Sequence, residues 1–184
     1  MFKKILLVLA VIILVFVAVV WTRPNEFRVE RSITISAQPE AVFPHVNNLH
    51  NWKTWSPWAK LDPNAKETFK GPAEGKDAYF AWAGNREVGE GSMTITESRP
   101  NELIKFRLDF IKPFKGTNTT EFMLRSEGDK TLVIWNMFGK SNFIAKAMSL
   151  FMNCDKMVGS QFEKGLADLK TIVEQEKPIL TSPL

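Results

Sequence analysis

Apolar and polar residues follow three spacings along this chain. Residues 5–21 are an unbroken apolar run of seventeen behind Lys3 and Lys4. Residues 27–138 are dominated by alternation, in short segments separated by glycine, proline and asparagine, as expected of strands joined by turns. From residue 141 to 176 no proline occurs, and apolar residues recur at steps of three and four, the period of a helix face. The order predicts a membrane-length helix, a β-rich middle and a long closing helix that buries its stripe against the sheet.

In the middle, residues 27–35 put Phe27, Val29, Ile33 and Ile35 on one side and Arg28, Glu30, Ser32 and Thr34 on the other. Arg31 falls in the apolar phase, which fits either a rim position or bulge, or a cation reaching into a cavity. SAQPE then starts a short helix, with Gln38 as a polar cap and Pro39 in the first turn. Pro44 is expected to kink or shorten that helix, and a second helical turn covers about residues 48–54. Strands follow at 66–70, 77–82, 86–97, 102–111, 117–126 and 131–138. In the strand at 86–97, Val88 sits on one phase and Met93 and Ile95 on the other, so a bulge is expected where Gly89 and Gly91 flank Glu90. Residues 131–138, TLVIWNMF, are apolar on both faces, with Asn136 as the polar exception. Short turns imply an antiparallel meander, and a meander of this length must curl. The fold class is α+β: a curved antiparallel sheet of about seven strands around a long C-terminal helix, plus an N-terminal transmembrane helix.

The closing helix has two characters. Its second half carries Cys154, Met157, Val158, Phe162, Leu166, Leu169, Ile172 and Val173 on one stripe. Gly159 and Gly165 cost helix propensity, so a close approach to the sheet is expected there. In residues 142–153 the apolar side chains are too dense for one stripe: Phe143, Ile144, Met148, Leu150, Phe151 and Met152. That half is expected to bend away, as a separate helix or as a lid over a cavity mouth near the tryptophans.

The apolar run at 5–21 is near the lower limit for crossing ~30 Å of hydrocarbon. A cleaved signal peptide also starts basic and turns apolar, but the exit VAVVWTRP lacks a small-x-small site, which favours an uncleaved anchor. Trp21 suits the membrane interface. Two lysines on a four-residue tail favour a cytoplasmic N-terminus. The soluble part would then lie outside the cytoplasm, in the periplasm if the source is a Gram-negative bacterium, and the location would be the inner or cell membrane, crossed once. The expected division is an anchor at 1–22, a ligand-binding domain at 23–177 and a flexible tail at 178–184.

Composition narrows the chemistry. The formal charge is +4, and setting aside Lys3 and Lys4 leaves +2, which is no nucleic-acid footprint. Cys154 is the only cysteine, read as a small core residue. His45 and His50 are the only histidines; both read as surface residues, and no metal site, cofactor or nucleophile–base set is marked. Fourteen Phe and six Trp are more than a plain core of this size needs. Trp52, Trp55 and Trp58 fall within seven residues, either as a plug at the core's edge or as a pocket wall.

Three stretches, RSITISAQPEAVFPHVNNLHNWKTWSPW, FAWAGNREVGEGSMTI and FEKGLADLK, resemble the START-like, or SRPBCC, superfamily with its helix-grip fold, and within it the polyketide cyclase/dehydrase-like bacterial branch. The resemblance spans about residues 27–170, and Pro44 departs from its pattern. It implies an apolar cavity for a lipid-like or polycyclic molecule between the curved sheet and the C-terminal helix. The candidate lining is Trp52, Trp55, Trp58, Phe80, Trp82, Phe106, Phe110, Phe122, Trp135, Met137, Phe151, Met157 and Phe162. Glu90, Asn136 and Arg31 are candidates for the few polar groups that fix a ligand's orientation. The expected function is a membrane-anchored binding protein for a hydrophobic small molecule or lipid. The alternatives are a cyclase or dehydratase with Glu90 as acid or base, and a filled-core interaction module that docks an envelope protein through Trp52 to Trp58.

Overall fold

A computed structural model describes residues 1–176; the tail expected at 178–184 lies outside the described residues. Helix α1 (Phe2–Trp21) precedes strand β1 (Glu26–Ile35). Three short helices follow, α2 (Pro39–Asn47), α3 (Trp52–Trp55) and α4 (Pro57–Leu61), with a 3-10 turn at Leu49–Asn51. Strands β2 (Lys66–Lys70), β3 (Tyr79–Ala83), β4 (Glu90–Arg99), β5 (Leu103–Lys112), β6 (Gly116–Glu127) and β7 (Lys130–Lys140) come next, then α5 (Phe143–Met148) and α6 (Cys154–Gln175). The strands form one seven-stranded sheet in the order β1-β7-β6-β5-β4-β3-β2, antiparallel throughout. The meander curls until β1 pairs with β7, and α6 packs on the inner face.

Register brings one set of chain positions to each end of the sheet. Glu26 lies opposite Lys140, Phe110 opposite Gly116, Glu90 opposite both Lys112 and Ala83, and Lys66 opposite Ala83. The end where α1 joins β1 therefore also holds the β3–β4 and β5–β6 connections and the exit of β7. The other end holds the turns after Arg99 and Glu127. In that far half the core is solid. Ile95, Ile104, Phe106, Phe122 and Val133 are fully buried there, and Leu166, Leu169 and Val173 of α6 close over them. Each buried side chain of this size contributes about 1.5–3 kcal/mol.

Several local expectations change. Helix α2 runs nine residues through Pro44 instead of stopping there. Glu40 and Pro44 lie on its exposed side, where water can take the unbonded carbonyl, while Val42, Phe43 and Val46 are buried. Gln38 occupies the cap position, but its amide donates to the Gly128 carbonyl instead. The phase break before β4 arises because Val88 belongs to a turn: the Asn85 side chain accepts from the Glu87 and Val88 amides. A bulge is present at Glu90, with Ile111 of the partner strand β5 as the extra residue, and a second lies at Thr96.

The closing helix is divided because each part has its own cap. The Asn142 carboxamide accepts from the Ala145 amide and opens α5; Asn153 accepts from Lys156 and opens α6. Helix α5 packs against α1, where Val20 is fully buried. Lys146 bonds the Asn25 side chain, and the Ser141 amide donates to the Asn25 carbonyl. The segment is thus at the foot of α1 and not a lid over the tryptophans. Cys154 is exposed at the first position of α6, not in the core, because the buried stripe begins only at Gly159.

Candidate functional site

The half of the domain nearest α1 contains a cavity of about 230 Å³. One side is the sheet: Phe69 of β2, Phe80 and Trp82 of β3, Met93 of β4, Leu108 and Phe110 of β5, Thr120 of β6, and Trp135 and Met137 of β7. The other side is helical, with Leu49, Trp52, Trp58, Ala59, Val158 and Phe162. Trp135 and Phe162 stack with centroids 3.9 Å apart and planes 6° apart, and Trp58 meets both rings edge-on.

Two glycines allow the rings to lie flat on the walls. A Cβ on Gly165 would stand 3.0 Å from Trp135 Cζ3 and 3.1 Å from Pro57 Cδ. One on Gly91 would stand 2.6 Å from Trp82 Cζ2. The expected close approach at Gly165 is therefore to Trp135. At Gly159 it is to the Arg31 guanidinium, into which a Cβ would collide.

Four indole N–H groups are turned into the protein. Trp52 donates to the Val46 carbonyl (2.8 Å), Trp55 to His45 (3.0 Å), Trp82 to Val88 (3.3 Å), and Trp135 to Thr120 Oγ1 (3.1 Å). Thr120 in turn donates to the Asn136 carbonyl at 2.7 Å. Buried donors are thereby satisfied, and the void keeps an apolar lining. Polar groups on the lining include Lys53, Ser56, Asp62 and Glu67. Asp62 accepts from the Asn85 amide at 2.7 Å and from Asn64 at 3.2 Å, so it fixes the end of α4 to the β3–β4 turn.

Of the residues picked out from the sequence, Trp52, Trp58, Phe80, Trp82, Phe110, Trp135, Met137 and Phe162 line this cavity. Trp55, Phe106 and Phe122 do not: they are fully buried and pack edge-on into the solid core. The tryptophan cluster is thus plug and wall at once. Phe151 and Met157 are 81% and 51% exposed, because the chain turns outward before α6 and Met157 lies off its buried face. Leu49, Phe69, Met93, Leu108 and Val158 line the cavity but were not picked. Phe69 was legible in principle, since a strand at 66–70 places it beside Phe80, its partner in register.

None of the three polar candidates is on the cavity lining. Glu90 pairs with Lys112 at 2.8 Å and is not on the lining; this bond raises the Lys112 ammonium above its ordinary value. Arg31 is not a cavity cation. It reaches Glu163 at 2.6 Å and Asp155 at 3.0 Å on α6. The hydrogen bonds it donates to these carboxylates, Asp155 above all, raise the guanidinium further, and Arg31 holds the Asp155 carboxyl below the usual range. Asn136 follows Trp135 on β7 and so points to the opposite face of the sheet, where its buried amide has no partner. Of the two histidines, His50 stacks on Phe69, but His45 is largely buried: its side chain is 13% exposed and bonds Glu176 at 3.1 Å. Among the described residues no group of three or more His, Cys, Asp or Glu could hold a metal ion.

A curved seven-stranded antiparallel sheet gripping one long C-terminal helix, with an apolar cavity between them, defines a START-like helix-grip protein. Residues 26–174 match the family "Polyketide cyclase / dehydrase and lipid transport", and the chain belongs to it. Among solved structures it is similar to protein MLL2253 from Mesorhizobium loti (14% identity, 82% of this chain and 98% of that one, TM-score 0.58). It is likewise similar to protein CV1439 from Chromobacterium violaceum (16% identity, 83% and 99%, TM-score 0.56). The ginseng major latex-like protein 151 from Panax ginseng is comparable (9% identity, 81% and 98%, TM-score 0.56). These likenesses establish the fold. No curated protein matches the chain.

Proposed function

We propose that this chain is a membrane-tethered binding protein that holds a hydrophobic small molecule or a lipid chain in the cavity. The observation that carries the reading is the void itself, apolar on nearly every wall, with the indole N–H groups of Trp52, Trp82 and Trp135 already satisfied by the protein. Its volume of about 230 Å³ is below the ~300–1,000 Å³ of common ligand pockets. A compact ring system or part of one acyl chain suits it better than a large polycycle. The family's inclusion of lipid transport points the same way. Residues 1–22 serve as the tether: α1 is long and apolar enough to cross a membrane and is almost wholly exposed. Lys3 and Lys4 favour a cytoplasmic N-terminus, with residues 23–177 as the ligand-binding domain outside the cytoplasm. A cyclase or dehydratase using Glu90 has lost its support, since Glu90 is bound to Lys112 away from the cavity.

The test is titration of the protein with a fluorescent fatty-acid analogue, read as energy transfer from the wall tryptophans and competed with unlabelled fatty acid. Saturable, competable transfer that weakens in Met137→Trp, which fills the void, is the expected result. Transfer that never saturates, or that Met137→Trp leaves unchanged, would remove the cavity from the function.

A further inference from the structure

The end of the domain nearest α1 carries large apolar side chains that the fold leaves uncovered. Phe143 and Ile144 of α5, Phe151 and Met152 beyond it, Ile111 near the end of β5 and Phe114 of the β5–β6 connection are all exposed. Strand register puts Ile111 and Phe114 at the end of the sheet where α1 joins, α5 packs on α1, and Phe151 and Met152 lie beside Arg23 and Pro24; no comparable cluster occurs at the far turns among the described residues. We propose that this end is a foot that rests in the lipid interface of the membrane crossed by α1, so that the domain is held to the bilayer by a surface as well as by its tether.

The occupant follows from the tether's geometry, and in that respect the inference rests on the reading of α1 as an anchor. The spanning stretch ends at Trp21, which is exposed as an interfacial indole should be. Only residues 22–25 separate it from β1. Four residues reach at most ~14 Å fully extended, and the Arg23 amide still bonds the Val20 carbonyl, which shortens that reach. Helix α5 packs on α1 and is tied to Asn25. A helix about 10 Å across in that position falls within the headgroup layer and the edge of the hydrocarbon, where exposed phenylalanine and isoleucine gain by burial. The charge around the patch agrees. Among the described residues Arg23, Lys115, Lys140 and Lys156 have no carboxylate within ion-pair distance, as suits anionic headgroups. The cavity lies in this same half of the domain, so the foot would hold its occupant's route to the bilayer short.

The experiment uses the full chain in vesicles of phosphatidylcholine and phosphatidylglycerol. Cys154 is the only cysteine, so in a Cys154→Ser background a single thiol is introduced by Phe151→Cys, Phe114→Cys or, at the far end, Asp129→Cys. All three positions are exposed, so folding is not at stake. Each is labelled with an environment-sensitive fluorophore and exposed to lipids carrying a nitroxide near the headgroup, and separately to iodide. The foot predicts lipid quenching at least about twofold stronger at Phe151→Cys and Phe114→Cys than at Asp129→Cys, with iodide quenching reduced to match. Equal lipid quenching at all three positions overturns it. So does shielding from iodide without lipid quenching, which would mean a protein partner or a second copy covers the patch. Alkaline extraction of the same vesicles separates the two readings. Release of the chain sinks the tether, whereas retention with a solvated position 151 sinks only the foot.

Discussion

Gly91→Ala tests whether the cavity depends on a wall residue with no side chain. The new Cβ would lie 2.6 Å from the Asp109 carbonyl oxygen and 2.6 Å from Trp82 Cζ2. Asp109 is backbone of the neighbouring strand β5 and cannot give way without shifting the ladder. Trp82 can move only by swinging off the wall into the void it lines. Overpacking of this kind costs about 1–3 kcal/mol, partly offset by the ~0.5–1 kcal/mol that alanine gains over glycine in a strand. The net expectation is a loss of about 0.5–2 kcal/mol, or a fall in Tm of ~1–8 °C for a domain of this size. Loss of fatty-acid-analogue binding should exceed what the stability change explains, because the displaced indole occupies ligand space. Gly116→Ala is the control: a Cβ there meets nothing within 4 Å, and its effect should stay within about 0.5 kcal/mol. Thermal unfolding of full chains in nanodiscs, followed by probe titration, reads both quantities. If Gly91→Ala matches Gly116→Ala in Tm and in probe affinity, the flat-ring account of the wall is wrong.

Other outcomes follow from the core and the ion pairs. Leu169→Ala, at a fully buried position under the solid half of the sheet, should cost about 2–5 kcal/mol, read as a lower urea midpoint with unchanged slope. Asn136→Leu should stabilise by about 1–2 kcal/mol, since it removes a buried amide that has no hydrogen-bond partner; a destabilised variant would mean that the amide is satisfied in solution. Asp155 is depressed by its bond to Arg31, and Glu174 chiefly by the Ser36 amide. Both therefore lend stability that is complete above their unfolded values near 4 and is lost as pH falls through the folded values. Stability should hold from neutral pH to about pH 5 and decline below about pH 4, with a shallower decline in Glu174→Gln. Lys112 runs the other way: its raised value gives stability that is present below an unfolded value near 10.4 and fades above it, a loss that Glu90→Gln should abolish.

The strand ladder was legible because its period is two and its turns are short: β2 matches the expected span 66–70, and β1, β5, β6 and β7 differ by one or two residues at their ends. The division of the closing helix was legible from apolar density at 142–153. Its destination was not, because packing of α5 on α1 joins residues over a hundred positions apart. Arg31 illustrates a different limit. Its place in the apolar phase is clear in the sequence, yet its role depends on Asp155 and Glu163, which arrive from α6. Inward direction was also read correctly for Phe106 and Phe122, as for Phe80 and Phe110. What alternation cannot tell is which inward rings meet other rings and which face a void, since that depends on where the three short helices and α6 lie.

The contrast between the two halves of the interior locates the cause of the cavity. Where the solid core begins, Phe106 and Phe122 meet each other and Trp52 edge to face, as Phe122 does Trp55, at 5.3–6.2 Å, a geometry in which each ring fills the gap left by its neighbour. In the near half some wall rings lie side by side at low angles, Phe80 on Trp82 at 27°, Phe69 on Phe80 at 32° and Trp135 on Phe162 at 6°, while Trp58 and Phe110 meet their neighbours edge-on. Rings laid flat along a wall present a face to the space between walls without crossing it. Gly91 beside Trp82 removes a Cβ that would lift that indole inward, and Gly165 on α6 leaves room for the edge of Trp135. Aromatic content alone therefore could not distinguish a filled core from a lined cavity, because the chain contains both. The difference is made by glycines opposite the rings, and substitution at Gly165 should close the void from the helix side as Gly91→Ala does from the sheet side. A Cβ at Gly165 is tight against Trp135 but overlaps it less than one at Gly91 overlaps Trp82. Gly165→Ala should therefore reduce probe affinity less than Gly91→Ala, and Gly165→Val more than Gly165→Ala. An order in which the Gly165 substitutions leave binding untouched while Gly91→Ala abolishes it would place the ligand against β3 alone, away from the Trp135–Phe162 stack.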